Sequence, residues 1–168
     1  MLTRASMLLA IAGLVVPACF AQMSPQYGIK DRDPPIGSNI RRNITEGSHI
    51  PINKKYSEMS AEEKEAVRRY YEVMETDDEP PFPAEGLRPI HDAVAKAQQK
   101  LLVTGRLVLV ASVGPDGNVT DVKAIGSPSS EMVQAAGSIV VLSKFKPALC
   151  KGQACKMDYP FIFNFKVR

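Results

Sequence analysis

The chain has 168 residues, enough for one ordinary domain or a small domain with appendages. Its 45% apolar and 23% charged content is ordinary for a globular protein, but thirteen prolines, gathered toward the first half, argue against one core along the whole length. A net charge of +3 excludes the strong basic excess of a nucleic-acid binder.

Arg4 is the only charge before residue 30, and an apolar run from Met7 to Val16 leads into Pro17-Ala18-Cys19-Phe20-Ala21. A charged start, a short apolar stretch and small residues define a secretory signal peptide, here 1–21, with cleavage before Gln22. The run is shorter than the roughly 20 residues that a spanning helix needs. Two alternatives stay open: lipidation of Cys19 after a lipoprotein-like Val16-Pro17-Ala18 sequence, or retention of the segment as a weak anchor. The expected location is therefore periplasmic, with a lipid-anchored envelope protein as the alternative.

Residues 22–57 carry no steady periodicity and read as an irregular or disordered arm. Ser60 and Glu63 form a capping box, and Val67, Tyr70, Tyr71 and Met74 share one stripe, which predicts a helix over 61–75. Asp77-Asp78-Glu79 with the prolines after it stops that helix and opens a Pro-rich linker to residue 86. The aromatic stripe reads as packing against the main domain, and the acidic run as a solvated helix exit.

Pro89 suits a first helical turn, and Ile90, Ala93, Val94, Ala97 and Leu101 mark one face of a second helix over 89–100. Arg106 to Val113 is a β-branched run with two partly apolar faces, a strand covered on both sides. Gly114-Pro115-Asp116-Gly117 is turn chemistry. Val119, Val122 and Ala124 continue as a second strand, out of clean alternation, so a bulge near Asp121 is expected. Ser129 or Ser130 caps a third helix over 131–143, with Met132, Ala135, Ala136, Ile139 and Val140 inward. From Asp158 the final strand places Phe161, Phe163, Phe165 and Val167 on the core side, with Pro160 at an edge or unpaired position.

Removal of residues 1–21 takes away Cys19, one of three cysteines, and the two that remain in the exported chain, Cys150 and Cys155, flank a tight polar turn and point to a disulfide. Metal is the weaker alternative, because two cysteines are half a zinc site and His49 and His91 lie far off in sequence. No nucleophile–base pair and no glycine-rich phosphate loop stands out, so the chain is read as a non-enzyme without cofactor or metal.

Gly105 opening an apolar strand, Pro115-Asp116-Gly117-Asn118-Val119 at the turn, Val122, the alanine-bearing helix, Lys144-Phe145-Lys146-Pro147-Ala148 and the closing apolar strand occur together. In that order they resemble the TonB C-terminal domain family over residues 87–168. The resemblance implies an α+β fold: a small antiparallel sheet of about three strands with two helices on one face, plus the N-terminal helix and irregular arm. It implies Gly105, Asp116, Gly117, Phe145 and Pro147 as motif residues. It further implies a short extended partner segment bound along the last strand, here Phe161, Ile162, Phe163, Asn164, Phe165, Lys166 and Val167. The implied partner is a protein or peptide, such as an outer-membrane receptor in TonB-type transport, or a second copy of the chain. Nucleic acid is not expected, and a membrane only if Cys19 is lipidated or the signal uncut. Four features depart from TonB: neither an uncut membrane anchor nor a long spacer of Pro-Glu and Pro-Lys repeats is expected here, Ser143 stands where tryptophan is frequent, and the Cys150–Cys155 pair is not part of the basic pattern. They weigh against energy transduction rather than against the fold or a peptide-binding or envelope-interaction role, and the alternative is a secreted structural or accessory envelope protein that kept the fold without energy transduction.

Overall fold

The computed structural model describes residues 28–29, 39–41 and 50–166. The expected signal peptide, Cys19 and most of the arm lie outside the described residues. In chain order the elements are β1 (Gly28–Ile29), α1 (Ala61–Arg68), β2 (Phe82–Pro83), α2 (Arg88–Leu101), β3 (Gly105–Val113), β4 (Val119–Ile125), α3 (Ser130–Leu142), β5 (Phe145–Lys146), β6 (Ala148–Cys150), β7 (Gln153–Cys155) and β8 (Met157–Phe165).

The fold is α+β. The main sheet has the order β1-β4-β3-β8, and its three long strands are antiparallel. β1 is an addition to the expected three strands: two residues of the arm run parallel to β4, pairing Gly28 with Lys123 and Ile29 with Ala124. The expected bulge is present beside Asp121. Ser112 pairs with Asp121 and Val113 with Val119, so Thr120 is the extra residue.

The two long helices lie on one face of the sheet and pack on each other. Ser129 caps α3, its hydroxyl accepting from the Met132 N–H at 3.1 Å. Met132, Val133, Ala136 and Val140 are buried against Leu107, Leu109, Val122 and Ala124. The phenylalanine row faces the same core: Tyr159 meets Phe161 edge-on at 4.9 Å, and Phe161, Phe163 and Phe165 stack at 6.0 and 6.2 Å. These buried rings each remove a large apolar area from water. Val110, on the opposite face, is covered by Ile40 and Tyr71, so β3 is shielded on both sides as its composition predicted.

The first helix ends at Arg68, not near 75. Its capping box forms: Glu63 N–H donates to the Ser60 hydroxyl and Ser60 N–H to the Glu63 carboxylate. The stop has a tertiary cause. Arg41 N–H donates to the Tyr70 carbonyl at 2.8 Å, Glu72 N–H to Asn39 at 2.7 Å, and Arg41 Nε to the Tyr71 carbonyl at 2.9 Å. The Tyr70 and Tyr71 N–H groups still close tight turns onto the Val67 and Arg68 carbonyls, but the carbonyls of both tyrosines and the Glu72 N–H are taken by the arm and do not continue the helical ladder.

The stretch expected as a linker is also part of the folded unit. Pro80, Pro81, Phe82 and Pro83 are buried, and Tyr56, Met59, Val67 and Phe82 share the core cluster with Tyr159. Phe82 and Pro83 pair with Lys146 and Phe145. Lys146 Nζ meets Glu79 at 2.9 Å and lies 4.8 Å from the centre of the Tyr56 ring.

Candidate functional site

Four of the five motif residues come together at one end of the sheet. Asp116 accepts from the backbone N–H of Asn118 at 3.1 Å and from its side-chain amide, and these donors hold its carboxyl below the usual range. Lys144 Nζ donates to the Asn118 side chain. Gly117 has φ +75°, and a Cβ there would lie 2.1 Å from the Phe145 carbonyl oxygen. The Phe145 N–H donates to the Gly117 carbonyl at 3.0 Å, and the Pro147 ring lies alongside. These residues lock the β3–β4 turn to β5. Gly105, at φ +130°, sits at the far end of the sheet, paired with Phe165 and close to Pro128. The motif is thus architecture, and it does not line the open edge.

Cys150 and Cys155 form the expected disulfide, with Cα atoms 5.8 Å apart, across the β6–β7 hairpin. The hairpin grips the segment before β2: Glu79 and Leu149 exchange both backbone hydrogen bonds, at 2.8 and 2.9 Å, and Lys151 N–H donates to Asp78 at 2.9 Å. Among the described residues no group of three His, Cys, Asp or Glu side chains is placed to hold a metal. No described helix is long and apolar enough to cross a membrane.

The candidate contact strand lies at the end of the sheet. β8 pairs with β3 over all nine residues, from Met157↔Val113 to Phe165↔Gly105. Among the described residues no strand pairs with its other side. The Tyr71 hydroxyl donates to the Asp158 carbonyl from that free side at 2.8 Å. Alternation then turns the backbone of Pro160, Ile162 and Asn164 the same way. Pro160, lacking an N–H, sits where no ladder bond is lost. Among the described residues, no strand pairs with the outward N–H and C=O groups of Ile162 and Asn164. Lys166 follows just past the strand, and Val167 lies outside the described residues.

A cleft of about 250 Å³ runs along this edge between β8 and α2. Its walls include His91, Val94, Ala95 and Gln98 of α2 and Ile162 to Lys166 of β8 and the residue after it. The His91 ring packs on Phe163 at 5.3 Å, and burial pushes its pKa below the ordinary histidine value. Sequence reasoning named the strand as a candidate but not the α2 side of the cleft. His91, Ala95 and Gln98 sit at i, i+4 and i+7, a helical stripe beside the apolar one, and that spacing was the available signal.

Residues 95–167 match the family model described as the C-terminal of the Gram-negative bacterial TonB protein. The match opens in the second half of α2 and takes in every element from β3 to β8, with the closing strand that forms the open edge. No curated protein matches the chain.

Proposed function

We propose that the TonB C-terminal domain formed by residues 95–167 is a periplasmic binding module that takes an extended segment of a partner protein as an additional strand beside β8. The observation that carries this reading is the one-sided pairing of β8: nine residues in register with β3, with the backbone of Ile162 and Asn164 turned outward and unpaired among the described residues. An open edge supplies main-chain hydrogen bonds for affinity, and alternate side chains supply selectivity. The partner that fits the family is the extended segment of an outer-membrane receptor, and the role a contribution to TonB-type transport. The chemistry is recognition rather than catalysis.

A second reading has its own observation. The arm reaches the domain at two places, Gly28–Ile29 along β4 and Asn39–Arg41 against Tyr70–Glu72. A chain wrapped in this way also suits an accessory envelope protein whose fold is kept without energy transduction.

Ile162→Pro separates them. The substitution removes one outward donor and no bond to β3, so melting should stay near wild type. Binding of seven-residue peptides taken from the periplasmic ends of outer-membrane receptors, followed by amide chemical shifts, should be lost. Unchanged binding would remove β8 from the reading. No binding to wild type, with an arm resistant to limited proteolysis, would favour the accessory protein.

A further inference from the structure

The cleft beside β8 has defined dimensions and a buried polar atom without a partner among the described residues. His91 and Gln98 are seven residues apart on α2, about 10 Å along its axis at 1.5 Å per residue. A strand docked on β8 would send every second side chain toward α2, about 7 Å apart. Two such side chains fit along the cleft, and a third would overrun it. The two halves differ. One is walled by the His91 and Phe163 rings, an aromatic pair suited to an apolar group. The other is walled by Gln98 and Phe165. There the Gln98 amide nitrogen donates to the Val103 carbonyl, while its Oε1 is buried without a partner among the described residues. An orphaned buried acceptor favours whatever brings it a donor. Ala95, exposed and small, leaves the space between the two halves open.

We infer that this cleft reads two alternate side chains of the docked strand, an apolar one against His91 and Phe163 and, two residues along, a hydroxyl-bearing one that donates to Gln98. The inference rests on the strand-docking reading and specifies the partner's chemistry: an extended peptide with the pattern apolar-x-hydroxyl. Residues turned the other way meet no wall from α2 and are free.

The test uses four acetylated, amidated peptides titrated into the ¹⁵N-labelled full chain: Ala-Val-Ala-Thr-Ala, the reverse order Ala-Thr-Ala-Val-Ala, Ala-Val-Ala-Val-Ala and Ala-Thr-Ala-Thr-Ala. One mixed order, the one matching the strand direction, should bind about five-fold more tightly than both uniform peptides, as for one net hydrogen bond. Gln98→Leu should erase that preference and make the valine peptide the tightest. Ala95→Trp, at an exposed position, should fill the cleft and weaken all four more than ten-fold, which keeps the test decisive if Gln98→Leu fails to fold. Shifts at Ile162 and Asn164 with equal affinities, or a ranking unmoved by Gln98→Leu, would leave strand docking standing and overturn the cleft assignment. No shift with any peptide would overturn both.

Discussion

The Tyr71 hydroxyl donates to the Asp158 carbonyl oxygen across 87 residues of sequence. Tyr71 is 3% exposed, and burial holds its phenol well above the usual tyrosine range, so it stays a donor through neutral pH. Asp158 is held a second time by the Ser112 hydroxyl, 2.6 Å from its carboxylate. This contact occupies an outward carbonyl at the start of β8 and so sets where the open edge begins. Tyr71→Phe keeps the ring and removes the donor. It should cost about 1 kcal/mol in urea unfolding, with a larger loss of about 3–5 kcal/mol for Tyr71→Ala, which also leaves a cavity. Equal losses for the two variants would show that the hydroxyl contributes nothing.

Much of the core was legible because period and chemistry agreed. The alternating row from Phe161 to Phe165, the Ser129 cap, the Asp116-Gly117 turn and the Thr120 bulge are local signals that tertiary contacts reinforce. The first helix was misread beyond Arg68 because Tyr70 and Tyr71 fit a helical stripe, while their carbonyls accept from Arg41 and the next N–H, of Glu72, donates to Asn39. Sequence pattern reports which side chains want burial, and here it did not report what buries them. The Pro80–Pro83 segment misled for a similar reason. Proline marks the absence of a helix, and these four residues are buried all the same. The strand at the edge was legible, but its α2 wall needed the register of helix against sheet.

Gly117 carries the strictest steric demand of the motif. Gly117→Ala would place a Cβ against the Phe145 carbonyl in a backbone conformation that L residues rarely adopt. The turn and β5 would have to part, breaking the Gly117–Phe145 bond. A loss of at least about 2–3 kcal/mol is expected from thermal or urea unfolding. Gly152, also at positive φ but with nothing within 4 Å of a Cβ, is the control, and its alanine variant should lose only about 1 kcal/mol. Equal effects at the two sites would mean that conformation alone, not the contact with Phe145, sets the requirement.

His91 gives the domain a mild acid sensitivity. Burial lowers its folded pKa below the unfolded value of 6.5, so the unfolded chain binds the proton first. The stability this group contributes is intact above pH 6.5 and declines as pH falls through the folded value. His91→Phe keeps a ring on Phe163 and cannot titrate. Between pH 7.5 and 5.5 wild type should lose more stability than His91→Phe, read as the difference between their urea midpoints. Parallel curves would show that His91 titrates alike in both states.

The disulfide acts on a neighbouring segment rather than on the open edge. Closing the short Cys150–Cys155 loop restricts the unfolded chain, worth about 2 kcal/mol on a chain-entropy basis. The hairpin it closes holds Glu79 through two backbone bonds and the Asp78 carboxylate through the Lys151 N–H, and Glu79 in turn meets Lys146. Reduction, or Cys150→Ala with Cys155→Ala, should therefore lower unfolding stability by about 2 kcal/mol. It should also speed amide exchange at Glu79 and Leu149 beyond the global change. Ile162 and Asn164 lie in β8, which is held by β3 and by the stacked phenylalanines, so peptide shifts there should persist after reduction. If reduction instead abolished them at temperatures where the chain remains folded, the hairpin would have to support the edge through the segment that leads into β2.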